Sequence, residues 1–155
     1  MKRAVVAGQG MVGHKLVETL VQRGATTDWE IVVVAEEPRL AYDRVALTSL
    51  FAGVSPADLA LGDPGLFDSE GLAAHLDERV VAVDRLARTV ETSAGRALAY
   101  DALILATGSV PFVPPVPGRD LPGCFVYRTI DDLDAIRAWA GGCRVGAVIG
   151  GGLLG

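Results

Sequence analysis

The sequence predicts a three-layer α/β fold with a small antiparallel β element. Three observations predict it. Ala4-Val5-Val6-Ala7 is an apolar run of strand length, and glycines follow it at once. Val12, Leu16, Val17, Leu20 and Val21 then recur at helical spacing, and Ile31-Val32-Val33-Val34 makes a second apolar run. Strand, helix and strand in that order form a parallel crossover, because parallel neighbours need a connection of helix length.

Each element has its own reason. Lys2 to Ala7 reads as the first strand and Met11 to Arg23 as the first helix. Gly24 stops that helix, since glycine reaches the left-handed conformation that ends helices. Glu30 to Ala35 reads as the second strand, and Glu36 to Ser49 as a polar connection longer than a turn requires. Leu47 to Leu61 reads as short helical pieces broken by Gly53 and Pro56, with another helical piece over Asp68 to Leu76. Val80 to Asp84, Thr89 to Thr92 and Ala97 to Tyr100 are short strands, and the Ser93-Ala94-Gly95-Arg96 turn pairs the last two.

Asp101 to Ala106 is a strongly apolar strand ending at Thr107-Gly108. Pro111, Pro114, Pro115 and Pro117 then exclude a helix. Cys124 to Tyr127 reads as a short strand. Thr129 caps a helix running to Ala140, with Asp131 and Asp132 in its first turn. Arg144 to Ile149 reads as one more buried strand, entering a second glycine series at Gly150, Gly152 and Gly155. Residues 1–140 are therefore expected to form an incomplete nucleotide-binding domain. Residues 141–155 are expected to be the first strand and glycine turn of a truncated second one.

Composition narrows the function classes. Over 155 residues, 14 Lys plus Arg against 19 Asp plus Glu leave a net charge of −5. That balance lacks the basic footprint of a nucleic-acid or anionic-membrane binder. The 50% hydrophobic content excludes a disordered acidic tail. The apolar runs stop well short of the roughly 20 residues that span a bilayer. Cys124 and Cys143 form neither a CxxC nor a metal cluster and read as buried small residues, so a soluble protein in a reducing cytoplasm is expected.

The chemistry lies in Gly8, Gly10 and Gly13, a G-x-G-x-x-G placed after a strand and opening a helix. Gly8 permits the tight turn, Gly10 lets backbone approach a pyrophosphate, and Gly13 lets the helix pack close to the strand. Free N–H groups at the helix start then receive the phosphates. Glu36, at the end of the second strand, is in place to accept from a ribose hydroxyl, and an acid there favours an adenosine without a 2′-phosphate. A glycine-rich turn without a ligand is the other reading. Arg44 fits either a surface salt bridge or a phosphate contact. Tyr42 and Asp43 read as turn residues, His14 as a partly exposed helix residue, and His75 carries no signal. No serine has a nucleophile-elbow context, and no residue is assigned to catalysis.

Three blocks resemble the amino-terminal part of the large subunit of NAD(P)H-dependent nitrite reductases. They are Gly8-Gln9-Gly10-Met11-Val12-Gly13-His14, Glu36 to Val45 including Ala41-Tyr42-Asp43-Arg44, and Cys124 to Leu133. Tyr100 to Ser109, with its Ala106-Thr107-Gly108, is similar to the Ala-Thr-Gly strand of the wider pyridine nucleotide–disulfide oxidoreductase superfamily.

The resemblance implies a Rossmann-like FAD/NAD(P)-binding fold and FAD as the cofactor. It places Gly8, Gly10, Met11, Val12 and Gly13 at the pyrophosphate, and Glu36, with Glu37 beside it, at the adenosine ribose. Arg44 and Ser49 would run beside the flavin, Val83 would meet the adenine through its backbone, and Ala106, Thr107 and Gly108 would cover the cofactor. Related ferredoxin and rubredoxin reductases often carry a lysine where Ser49 stands. In the full-length parent the implied reaction runs from NAD(P)H through FAD to an iron–sulfur centre and siroheme, reducing nitrite to ammonium. The cysteines for siroheme and iron–sulfur clusters are absent here, so this chain alone is expected to be inactive. A ferredoxin or rubredoxin reductase fragment, or a non-catalytic nucleotide-binding remnant, is the alternative. The parent is expected to pair with a small subunit, and an uncovered sheet edge to favour self-association.

Overall fold

The computed structural model describes residues 1–150. The chain divides into two compact units, residues 1–109 and 110–155.

The first unit is built on a four-stranded parallel sheet of β1 (Lys2–Ala7), β2 (Trp29–Val34), β3 (Leu72–His75) and β7 (Ala102–Leu105). Their order is β3-β2-β1-β7, with Val5 facing Val32 on one side and Leu103 on the other. Helix α1 (Met11–Gln22) makes the β1-to-β2 crossover, and Gly24 ends it at φ 73° as expected. Between β3 and β7, strands β4 (Val80–Asp84), β5 (Thr89–Thr92) and β6 (Ala97–Ala99) form an antiparallel sheet in that order.

Strand geometry explains the unbroken apolar runs. Successive side chains point to opposite faces, so Val6, Ile31 and Val33 join Val17 of α1 in one core. Val5, Val32 and Val34 join Val90 of the antiparallel element in the other. A sheet covered on both faces has no side on which a polar residue reaches water. The three layers follow directly.

Within the expected helix over Asp68 to Leu76, Leu72–His75 forms a strand instead. Leu72-Ala73-Ala74-His75 has good local helix formers, yet it pairs in parallel with β2, with Val32 opposite Ala73. The Ile31 N–H donates to the Gly71 carbonyl at 2.8 Å, and Leu72 enters the helix-side core. The open edge of β2 outweighs local propensity.

The second unit carries α2 (Ile130–Ala140), closed by the Thr129–Asp132 capping box. Ile130 and Leu133 are buried, and Phe125 meets Trp139 edge-on at 6.2 Å. Neither 124–127 nor 144–149 is a strand. An extended run becomes a strand only where a neighbour offers backbone partners, and none pairs with these among the described residues; Val145, Val148 and Ile149 are exposed. Gly152 and Gly155 of the second glycine series lie outside the described residues. Cys124 and Cys143 are exposed rather than buried, each thiol lying by a local carbonyl, of Gly118 and Trp139 respectively.

Candidate functional site

The carboxyl ends of three parallel strands converge on the glycine loop. The Gly8 N–H donates to the Val34 carbonyl at 2.8 Å, and the Ala106 N–H donates to the Ala7 carbonyl at 2.8 Å. This is the end of an open α/β sheet where nucleotides bind.

The three glycines prove unequal. Gly8 sits at φ +110°, and a Cβ there would lie 2.2 Å from the Ala106 carbonyl oxygen. A Cβ on Gly13 would lie 2.2 Å from the Gly8 carbonyl oxygen. Both positions are closed to any side chain by backbone. Gly10, at the N-cap of α1, is different: nothing lies within 4 Å of its Cβ position. It is small toward a space the protein leaves open.

The start of α1 is also left uncapped. It has no side-chain cap and no acid in its first turn, whereas α2 has both. The first N–H groups of a helix have no intrahelical acceptor, so those of Met11, Val12 and Gly13 face the space before Gly10. Uncapped N–H groups, the positive end of a helix and an open cradle fit a pyrophosphate.

At the end of β2 the two acids part company. Glu36 keeps its side chain 71% exposed, with Arg79 Nη1 at 3.5 Å. Glu37 is 19% exposed, accepts from the Tyr42 hydroxyl at 2.7 Å, and pairs with the Arg44 guanidinium. Arg44 also lies 5.2 Å over the Tyr42 ring. Arg44 thus makes the ion-pair alternative of the sequence reading, though the pair is half-buried rather than on the surface. Tyr42 is buried, and the Asp43 carboxylate accepts from the Val45 N–H at 2.9 Å, so only Asp43 is a simple turn residue.

Of the other predicted positions, Thr107 follows Ala106 against the glycine loop, its Cα 3.1 Å from the Cβ position of Gly8. Gly108 takes φ 71° just beyond. Ser49 lies in the 3-10 turn Leu47–Ala52, where its hydroxyl donates to the Ala46 carbonyl at 2.6 Å. Val83 stands on β4, an edge strand of the antiparallel sheet, opposite Val90 and exposed.

Two features escaped the sequence reading. Gln9 is only 8% exposed, and neither its Nε2 nor its Oε1 has a hydrogen-bond partner among the described residues. Arg79 reaches Glu36 across 43 positions of sequence, with its backbone held by Ser93 on both sides. His14 needs correction as well: it is buried, because the loop at Gly62 covers it, and a Cβ there would sit 2.5 Å from its Nε2.

A buried carboxylate fastens the antiparallel element beside Glu36. Glu78 accepts from the Thr92 hydroxyl and from Arg96 Nε, while its N–H donates to the Ala35 carbonyl at 2.9 Å. The Thr92 hydrogen bond, and then Arg96, hold its carboxyl below the usual value of 4.5. A depressed folded-state pKa gives stability that is present above the unfolded value and lost as pH falls through the folded one. The melting temperature is therefore expected to fall more steeply below about pH 4.5 in the native chain than in Glu78→Gln. Parallel pH–melting curves would refute this role.

Comparison with known proteins agrees with this architecture. The family model described as pyridine nucleotide-disulphide oxidoreductase matches residues 2–155. The chain is 52% identical over 151 residues to the large subunit of nitrite reductase [NAD(P)H] from Klebsiella oxytoca, covering 97% of this chain and 16% of that subunit. It is 44% identical over 153 residues to the nitrite reductase (NADH) large subunit of Escherichia coli K12, covering 99% and 18% respectively. The crystal structure of a ferredoxin reductase from Rhodopseudomonas palustris is similar with a TM-score of 0.79 and 27% identity, over 91% of this chain and 35% of that one. This chain belongs to the pyridine nucleotide-disulphide oxidoreductase family. It corresponds to the family's N-terminal FAD-binding domain and spans less than a fifth of the two nitrite reductase subunits it matches. Among the described residues no helix is long and apolar enough to cross a membrane.

Proposed function

We propose that this chain is the FAD-binding part of a flavoprotein reductase that draws electrons from NAD(P)H. The observation that carries the reading is the division among the glycines: Gly8 and Gly13 are closed by backbone, and Gly10 alone opens onto the uncapped start of α1. Gly8, Gly10, Met11, Val12 and Gly13 would hold the pyrophosphate through backbone N–H groups. Glu36 would accept from the adenosine ribose, with Arg79 orienting it and Glu37 kept for the Tyr42–Arg44 cluster. Ala106, Thr107 and Gly108 would close over the cofactor, Ser49 would lie along the flavin and Val83 along the adenine. Held there, FAD would supply the redox chemistry, hydride acceptance and electron transfer, while these residues bind and orient it. Residues 1–140 belong to this FAD domain, and residues 141–155 begin the nicotinamide-cofactor domain.

Two electron acceptors compete. Identity of 52% with the large subunit of nitrite reductase [NAD(P)H] supports delivery toward nitrite. The structural likeness to a ferredoxin reductase supports a one-electron carrier protein instead. The flavin reading itself is tested by absorbance. After incubation with FAD and desalting, the chain is expected to retain flavin bands near ~450 nm; a colourless protein with a cooperative melt would refute FAD binding by these residues alone.

A further inference from the structure

We propose that Gln9 is a further cofactor-binding residue, its side-chain amide serving the sugar-alcohol chain of FAD where that joins the pyrophosphate. The inference rests on the flavin reading above. Gln9 lies between Gly8 and Gly10, so its backbone is part of the loop that leads into α1. Its amide is shut off from solvent, and neither end is hydrogen-bonded among the described residues. A buried amide left unpaired is costly, and such groups in native proteins ordinarily have a partner.

The chemistry of the missing partner is constrained by the amide itself. Nε2 must donate and Oε1 must accept. A pyrophosphate offers only acceptors at neutral pH and would leave Oε1 unpaired. A hydroxyl both donates and accepts. Both sugars of FAD present hydroxyls beside the pyrophosphate, and with the adenosine ribose assigned to Glu36 the ribityl chain is the end left to satisfy both atoms where the phosphates satisfy one. Among the described residues no hydrogen bond holds the amide in place, so turning its side-chain torsions to meet a ligand breaks none of these.

The test compares FAD with ADP, which keeps the adenosine and pyrophosphate but lacks the ribityl chain. Both are titrated by calorimetry into the native 155-residue chain and into Gln9→Met and Gln9→Leu. Each variant is expected to bind FAD about tenfold more weakly, the size of one or two hydrogen bonds, and ADP within about twofold of the native chain. Retained ADP binding also reports that the variant is folded. Each variant without ligand is expected to melt at or above the native temperature, because removing an unpaired buried amide relieves its cost.

Unchanged FAD affinity in both variants would overturn the proposal and leave the amide to an internal water. Equal loss of FAD and ADP would overturn the ribityl assignment and give Gln9 a role in the phosphate loop. A native chain that takes up neither nucleotide would overturn the flavin reading itself. One that takes up both leaves that reading standing whatever the variants do.

Discussion

Gly13→Ala is expected to lower the melting temperature of the chain by roughly 5–10 °C. The added Cβ would stand 2.2 Å from the Gly8 carbonyl oxygen, and that atom belongs to backbone whose own N–H is bonded to Val34. A flexible side chain relieves such a clash by rotating; here the whole first turn of α1 must lift from β1. Lifting it withdraws Val17 from the helix-side core, where it packs with Val6, Ile31 and Val33. Overpacking of this kind costs about 1–3 kcal/mol, and more when only backbone is available to move. Gly8→Ala is expected to do at least as much, since the same short approach to Ala106 is joined by a backbone at φ +110°. Circular dichroism melts of the ligand-free chain measure both. A Gly13→Ala melt within about 2 °C of native would mean that the helix and strand do not need their close approach.

Gly10→Val is expected to separate folding from binding. Its backbone, at φ −81° and ψ −171°, is extended and accepts any residue, and its Cβ position is open. The cost to the fold is that of a poor N-cap, about 1 kcal/mol, so the melt shifts by only a few degrees. Two methyl groups would nonetheless stand in the space before the helix, where the proposed site would bring the pyrophosphate onto backbone. FAD affinity is expected to fall on the order of 100-fold or more. Gly13→Ala should therefore fail in the melt and Gly10→Val in the titration. A Gly10→Val chain that holds FAD as tightly as native would place the phosphates elsewhere.

The same residues show how far sequence reasoning carries and where it stops. The tight turn at Gly8 and the close helix–strand approach at Gly13 were legible because each follows from spacing along a strand–loop–helix unit, and local geometry leaves little choice there. The parallel core was legible for a similar reason, since period and length distinguish buried strands from the amphipathic α1. Strand β3 was not legible: Leu72 to His75 has no β signal of its own and is extended because β2 offers an edge. The run from Arg144 to Ile149 has a strong β signal yet forms no strand, for want of a paired neighbour among the described residues. Glu36 and Glu37 are adjacent and chemically alike, so nothing in sequence separates the exposed acid from the one held by Tyr42 and Arg44.

By itself the sequence determined the strand–helix–strand frame, the glycine cradle and the family, because these depend on short-range periodicity and on residues within one turn of one another. Only the tertiary structure decided which of the two acids stays exposed, that Arg79 meets Glu36, and that the Gln9 amide is buried without a partner among the described residues. Those properties belong to surfaces brought together from distant parts of the chain. Burial and hydrogen bonding are settled by what arrives on the other side.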